Sequence, residues 1–284
     1  MRPHQWTKNL AVFAAIIFAV KLFDGRLWTV TALAFVSFCL MSSALYALND
    51  VVDAERDRQH PVKCERPIAS GRMGAATGLG IAGALFVVAT AIGIFVGLPF
   101  AATLGAYAAL HLLYSFVLKN VSIVDMLVIS AGFVLRAVAG AVAIAVPVSP
   151  WLVLCTGLLA LFLAAAKRRH EIVLLRELSY THRPVLAEYT PELLDSFMVT
   201  LSAATITTYA LYTFFEGKAP HHLMMLTIPF VIYGLLRYQY LVLSKGGGGR
   251  PEDVLLGDGP ILIDIVLWMI SAVAVLYLAP RFFG

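Results

Sequence analysis

Asn49, Asp50, Asp53 and Asp57 form the pattern N-D-x-x-D-x-x-x-D within residues 47–71, ALNDVVDAERDRQHPVKCERPIASG. At about 100° per residue on a helix, these side chains fall within one arc of roughly 100°, so one face presents an amide and three carboxylates. Carboxylates that close raise one another's pKa unless a cation sits among them. Mg2+ suits such a face, because it takes oxygen ligands, keeps one or two carboxylates and fills its other positions with water and phosphate oxygens. The face predicts a metal together with a phosphorylated ligand. Pairing of the acids with Arg56 and Arg58 in solvent is the plainer alternative. Against it stands the next loop, stiffened by Pro61 and Pro67, in which Lys63, Arg66 and Arg72 surround the acids without sharing their helical face.

Further candidates are spread along the chain. Lys8 follows Trp6 near the start, and YSFVLKNVSIVDM offers Tyr114, Lys119 and Asp125. Arg136 lies about a dozen residues into an apolar run, where a charge costs about 2.5–3.5 kcal/mol and normally faces a polar interior. A ligand or an acid partner is expected for it. KRRHEIVLLRE is the densest basic run; Lys167 and Glu171, four apart, share a face, with Arg168 a quarter turn away. On composition alone this run reads as a membrane anchor. GLGIAG at residues 78–83 matches the dinucleotide-binding glycine pattern but lies in an apolar run with no preceding strand, so close helix packing is the better reading. The glycine-rich KGGGGRPEDVLLGD, residues 245–258, reads as a linker whose acids could close over a ligand.

These residues need a scaffold, and composition says which. Of the 284 residues 60% are hydrophobic and only 13% charged, and the mean hydropathy is +0.85. Apolar runs of membrane-spanning length recur about nine times, near 9–23, 28–52, 74–97, 99–118, 122–146, 151–173, 193–215, 221–244 and 260–280. The fold class expected is all-α, a polytopic membrane protein forming a single transmembrane domain over residues 1–284 around a cytoplasm-facing polar cavity. The first run lacks a small-residue cleavage site and is kept as a span. Cys39, Cys64 and Cys155 lack metal-ligand spacing and read as packing residues. With nine spans one set of loops holds most Lys and Arg, including Lys8, Arg66, Lys119, Lys167, Arg168, Arg169 and Arg183, and the positive-inside rule makes that set cytoplasmic. The net charge of +4 is thus mainly topological, and no nucleic-acid partner is expected.

The acidic motif, the basic loop and the number of spans resemble the UbiA-type superfamily of intramembrane prenyltransferases. The resemblance implies that the motif holds Mg2+ on a donor pyrophosphate and that a second acidic motif follows the sixth helix. Here Lys167, Arg168, Arg169, His170 and Glu171 stand in its place. Together with RPxQWxKN at the start, HPVKCERPIASG, LKNVSIVD, GFVLRAVAG and GRPEDVLLGD, that departure resembles the decaprenyl-phosphate phosphoribosyltransferase branch, from Arg2 to about Asp258. The branch implies phosphoribosyl pyrophosphate as donor and a polyprenyl (decaprenyl) phosphate as acceptor, in the bacterial inner membrane with the active site facing the cytoplasm, feeding cell-wall arabinan synthesis. The charge logic agrees: a second acidic motif would repel the 5-phosphate and the lipid phosphate, whereas cations, Arg above all, grip them.

On this reading Asn49, Asp50, Asp53 and Asp57 ligate Mg2+, and the three acids with Lys119 carry the catalysis. Lys8, Arg66, Lys119, Lys167, Arg168 and Arg169 hold phosphates, Tyr114 with Asp125 or Glu171 grips ribose hydroxyls, and Arg136 contacts ligand. An aromatic prenyltransferase would share the first acidic motif but should carry the second. A non-enzymatic transporter of anionic lipids would want interior cations but has little use for the acidic quartet. A homo-oligomer stays open, because faces that touch lipid and faces that touch a neighbour have the same composition.

Overall fold

The computed structural model describes residues 3–58, 63–178, 188–217, 219–249 and 251–283. Arg2, Pro61 and Arg183 lie outside the described residues, and of Arg56 and Lys63 only the backbone is described. Among the described residues eight long α-helices follow one another: α1 Gly25–Val52, α2 Ala75–Val96, α3 Leu98–Phe116, α4 Val124–Ala143, α5 Pro150–Leu178, α6 Pro191–Phe215, α7 Ile228–Lys245 and α8 Gly259–Tyr277. No strand occurs among the described residues.

Seven helices, rather than nine, are long and apolar enough to cross a membrane among the described residues. The two shortfalls have different causes. Helix α3, 19 residues long, falls outside the set, its apolar run diluted by Tyr107, His111, Tyr114 and Ser115. The run expected at 9–23 is not a continuous α-helix: Pro3–Phe13 is an 11-residue 3-10 helix, and only Ala14–Phe18 continues as α. At about 2.0 and 1.5 Å per residue the two pieces together reach roughly 30 Å, the thickness of a bilayer's hydrocarbon core. The tighter winding goes with a close approach. A Cβ on Gly140 of α4 would lie 2.0 Å from the Val12 carbonyl oxygen, so only glycine lets these two backbones meet.

The chain divides into two compact units, residues 1–117 with 135–147, and residues 118–134 with 148–284. In the first, α1 packs chiefly on α2, and both meet α3. Its core is Phe38, Met41, Leu45, Ala89, Phe100, Leu104 and Tyr107, with Val12 and Ala139. In the second, α5 packs on α6, and α7 packs on both α6 and α8. There Phe162, Ala165, Leu194, Met198, Leu235, Tyr238, Val242 and Ile261 form the core. The outward faces are apolar: Phe86, Val87, Ile94 and Phe95 of α2 are exposed, Phe95 by 81%. Faces of this kind suit hydrocarbon rather than water.

Candidate active site

In the first unit, α1 carries Asn49 and Asp50 to its last turn and ends at Val52. Asp53 caps it, its N–H donating to the Asn49 carbonyl at 2.8 Å. The short helix Ala54–Arg58 then begins, and the Asp57 N–H returns to the Asp53 carbonyl at 2.9 Å. The helix expected to run unbroken through the motif therefore breaks at Asp53. The four-residue hydrogen-bond spacing nevertheless carries across the break and keeps positions 49, 53 and 57 in line.

Arg66 closes this face. Its Nη1 lies 2.5 Å from Asp57 Oδ2 and 3.1 Å from Asp50 Oδ1. Asp57 is buried and Asp50 part-buried, so one guanidinium nitrogen occupies the cation position between two sheltered carboxylates. Among the described residues no three His, Cys, Asp or Glu side chains stand close enough to cage a metal. Asp50 and Asp57 are oxygen donors of the type that Mg2+ takes, and the nitrogen between them shows that the pair accepts a cation.

The rest of the loop is pinned to itself. Arg58 donates to the Ala69 carbonyl at 3.3 Å, and Arg72 donates to Ser70 Oγ at 3.0 Å and to the Glu65 carbonyl. Ile68 seats the loop on the helices: a Cβ on Gly78 would lie 2.8 Å from Ile68 Cδ1 and 3.0 Å from Val51 Cγ2. The first glycine of GLGIAG therefore serves close packing. Lys8 and Tyr114 are both part-buried in this unit.

Arg136, for which a ligand or an acid partner was expected, is 4% exposed and held by neutral groups. Its Nε donates to Asn9 Oδ1 at 2.7 Å and its Nη2 to Tyr107 OH at 2.7 Å, with its guanidinium carbon 4.6 Å from the Tyr107 ring centroid. Ser42 Oγ lies 3.2 Å from the same hydroxyl, and Asn9 Nδ2 donates to Cys39 Sγ at 3.3 Å. Through these bonds Arg136 ties the N-terminal 3-10 helix to α3 and α4.

The second unit rearranges the expected basic cluster. Arg168 is 1% exposed and Asp125 fully buried. Arg168 Nε donates to Asp125 Oδ2 at 2.6 Å, and its Nη1 to Glu171 Oε2 at 2.5 Å. The other Asp125 oxygen accepts from Tyr189 OH at 2.8 Å. Burial pushes the Tyr189 phenol up to about 12, and the Asp125 carboxylate adds to the rise. Arg169 donates to Asp195 and, at 3.3 Å, to the Val242 carbonyl. Arg168, Arg169 and Asp125, expected to contact phosphate or ribose, stand in ion pairs that join α4, α5 and α6. Lys119 and Lys167 are part-buried. His170 Nδ1 lies 2.9 Å from the Gly246 carbonyl, so the glycine-rich stretch is packed on the end of α5 and is more than a linker. Tyr189 and Asp195 were missed by the sequence reading: each is an ordinary residue in its own stretch and gains a role only from a partner more than twenty residues away.

The sequence profile of the UbiA prenyltransferase family matches residues 10–250. The chain belongs to that family. It is 35% identical over 290 residues to a decaprenyl-phosphate phosphoribosyltransferase of Corynebacterium glutamicum, covering 99% of this chain and 87% of the relative. It is 36% identical over 293 residues to the protein of the same name in Mycolicibacterium smegmatis, covering 98% and 91%. Among solved structures, a UbiA homologue from Archaeoglobus fulgidus bound to DMAPP and Mg2+ superposes with a TM-score of 0.75 over 97% of this chain and 96% of that one, at 18% identity. That likeness shows the fold. As a UbiA-family chain with seven apolar spans, the protein is an integral membrane protein.

Proposed function

We propose that this UbiA-family chain transfers 5-phosphoribose from phosphoribosyl pyrophosphate to a polyprenyl, decaprenyl-type, phosphate and releases pyrophosphate, as a step in making cell-wall arabinan precursors. The observation that carries the reading is identity of 35–36% over nearly the whole length to proteins bearing that activity in their names. The residues at 167–171 support it. Transfer of a prenyl group to an aromatic ring would call for acids there, and the chain has Lys-Arg-Arg-His-Glu.

In this reading the C1–O bond to pyrophosphate breaks, a C1–O bond to the lipid phosphate forms, and the sugar passes through an oxocarbenium-like state. Asn49, Asp50, Asp53 and Asp57 would hold Mg2+, which would supply charge stabilisation for the leaving pyrophosphate. Arg66, already on Asp50 and Asp57, is placed to exchange a carboxylate for a phosphate oxygen. Lys8, Lys119 and Lys167 hold phosphates, and Tyr114 a ribose hydroxyl. Asp125, Arg136, Arg168 and Arg169 position the helices that carry them. The lipid phosphate, with a second pKa of about 6, is already mostly ionised near pH 7, so no general base is required. The site opens to the cytoplasm of the bacterial plasma membrane, the side to which the positive-inside rule assigns these cations.

Donor choice is the test. The purified protein with Mg2+ is given decaprenyl phosphate plus phosphoribosyl pyrophosphate or, separately, an aromatic acceptor plus a prenyl pyrophosphate, and pyrophosphate release is followed. Release from the first pair alone is expected. Release from the second pair alone would replace the proposal with aromatic prenyl transfer.

A further inference from the structure

The turn before α4 contains a backbone conformation its residue does not favour. Ile123 has φ +66°, and a β-branched side chain in the left-handed region is a true outlier. The side chain does not explain it, since Ile123 is 51% exposed. The turn closes on its own backbone, the Val124 N–H donating to the Ser122 carbonyl at 2.7 Å, and is held from outside by residues just before α6. The Ile123 N–H donates to Tyr189 OH, and Ser122 Oγ donates to Glu188. The Tyr189 hydroxyl hands its own proton to Asp125 at 2.8 Å, which in turn receives Arg168. One phenol thus joins a strained turn to the ion pair at the base of α5. Four residues before Ile123, in the 3-10 helix Leu118–Asn120, stands Lys119.

We propose that Tyr189 is a positioning residue: its hydroxyl holds Ile123 in the left-handed conformation and so sets the Leu118–Ile123 turn that presents Lys119 to a phosphate substrate. The assignment rests on the phosphoribosyl-transfer reading for Lys119, while the hold on the turn stands on geometry alone. Tyr189→Phe keeps the ring and removes the hydroxyl. The turn then relaxes to negative φ and the lysine moves. Glycine is at home at positive φ, so adding Ile123→Gly restores access to the native turn without the hydroxyl, and the exposed isoleucine leaves no cavity behind.

Two readouts on the full-length protein in detergent test this, one of which needs no substrate. Amide hydrogen exchange over residues 118–126 is expected to speed up about tenfold in Tyr189→Phe, the scale of one strained residue released, and to recover in Tyr189→Phe/Ile123→Gly. The KM for phosphoribosyl pyrophosphate or decaprenyl phosphate should rise and recover in step, with kcat little changed. Unchanged exchange in Tyr189→Phe overturns the proposal. So does exchange that speeds up but is not restored by Ile123→Gly. If the wild-type protein transfers no phosphoribose, the functional reading fails, and the exchange arm still decides whether Tyr189 holds the turn.

Discussion

Replacing Asp125 with alanine should damage the fold before it affects chemistry. The carboxylate is fully buried, and it accepts from the Arg168 guanidinium, itself 1% exposed, and from Tyr189 OH. Its removal leaves the buried guanidinium with the part-exposed Glu171 carboxylate alone and a buried hydroxyl short of its acceptor. Breaking one side of a buried pair costs about 3–5 kcal/mol, because the remaining charge stays desolvated. At about 2 °C per kcal/mol for a chain of this size, melting falls by roughly 6–10 °C. The assay is thermal unfolding of detergent-solubilised protein, followed by size-exclusion retention after heating, with Arg281→Ala as the exposed comparison that should melt like wild type. Asp125→Leu/Arg168→Met, which removes both charges, should recover part of the loss, the Tyr189 hydroxyl still lacking its acceptor. Asp125→Ala melting within about 1 °C of wild type, as an ordinary surface change would, refutes the structural role of the pair.

Four other outcomes are expected. Asp53→Asn should cut phosphoribosyl transfer about a hundredfold or more while the protein still elutes as a folded species, since in the proposed reading the carboxylate serves the metal rather than the core. Lys119→Ala and Lys167→Ala should each raise the KM of a phosphate substrate about tenfold, the value of a charge-assisted hydrogen bond, whereas Arg281→Ala, exposed in the short helix Ala279–Phe283, should not. Gly140→Ala should lower the melting temperature, because its methyl group would meet the Val12 carbonyl oxygen at 2.0 Å and force the two backbones apart. The hydrogen bond from Arg237 holds the Asp258 carboxyl below the usual carboxylate range. Its contribution is present above the ordinary carboxylate pKa and is lost as pH falls through the lowered one, so melting curves of wild type and Asp258→Asn should converge on acidification.

The sequence carried the helical fold and the acidic motif because both are local. Hydropathy marks a run of spanning length by itself, and the spacing of Asn49, Asp53 and Asp57 fixes their common face through hydrogen bonds four residues apart. Arg66 was in view for the same reason, nine residues from Asp57. What was not legible depends on which helix faces which. Arg168 finds Asp125 at a separation of 43 residues and Arg136 finds Asn9 at 127, and the spacing within one helix says nothing about either. A buried arginine also looks the same in sequence whether its partner is a carboxylate, a phosphate or, as for Arg136, an amide and a phenol. The 3-10 winding of Pro3–Phe13 was hidden too, since an apolar run reports length and not pitch, and its close approach to Gly140 joins positions more than a hundred residues apart. Membership of the UbiA family, by contrast, was readable from the acidic motif and the basic loop together.

The central claim is that phosphoribose moves to a polyprenyl phosphate. The most direct measurement gives the purified protein Mg2+, decaprenyl phosphate and phosphoribosyl pyrophosphate labelled in the ribose, and counts label in the organic phase with and without EDTA. Label should pass into the lipid fraction, require decaprenyl phosphate and stop when the metal is removed. Label that stays in the aqueous phase with folded protein and both substrates present would contradict the claim.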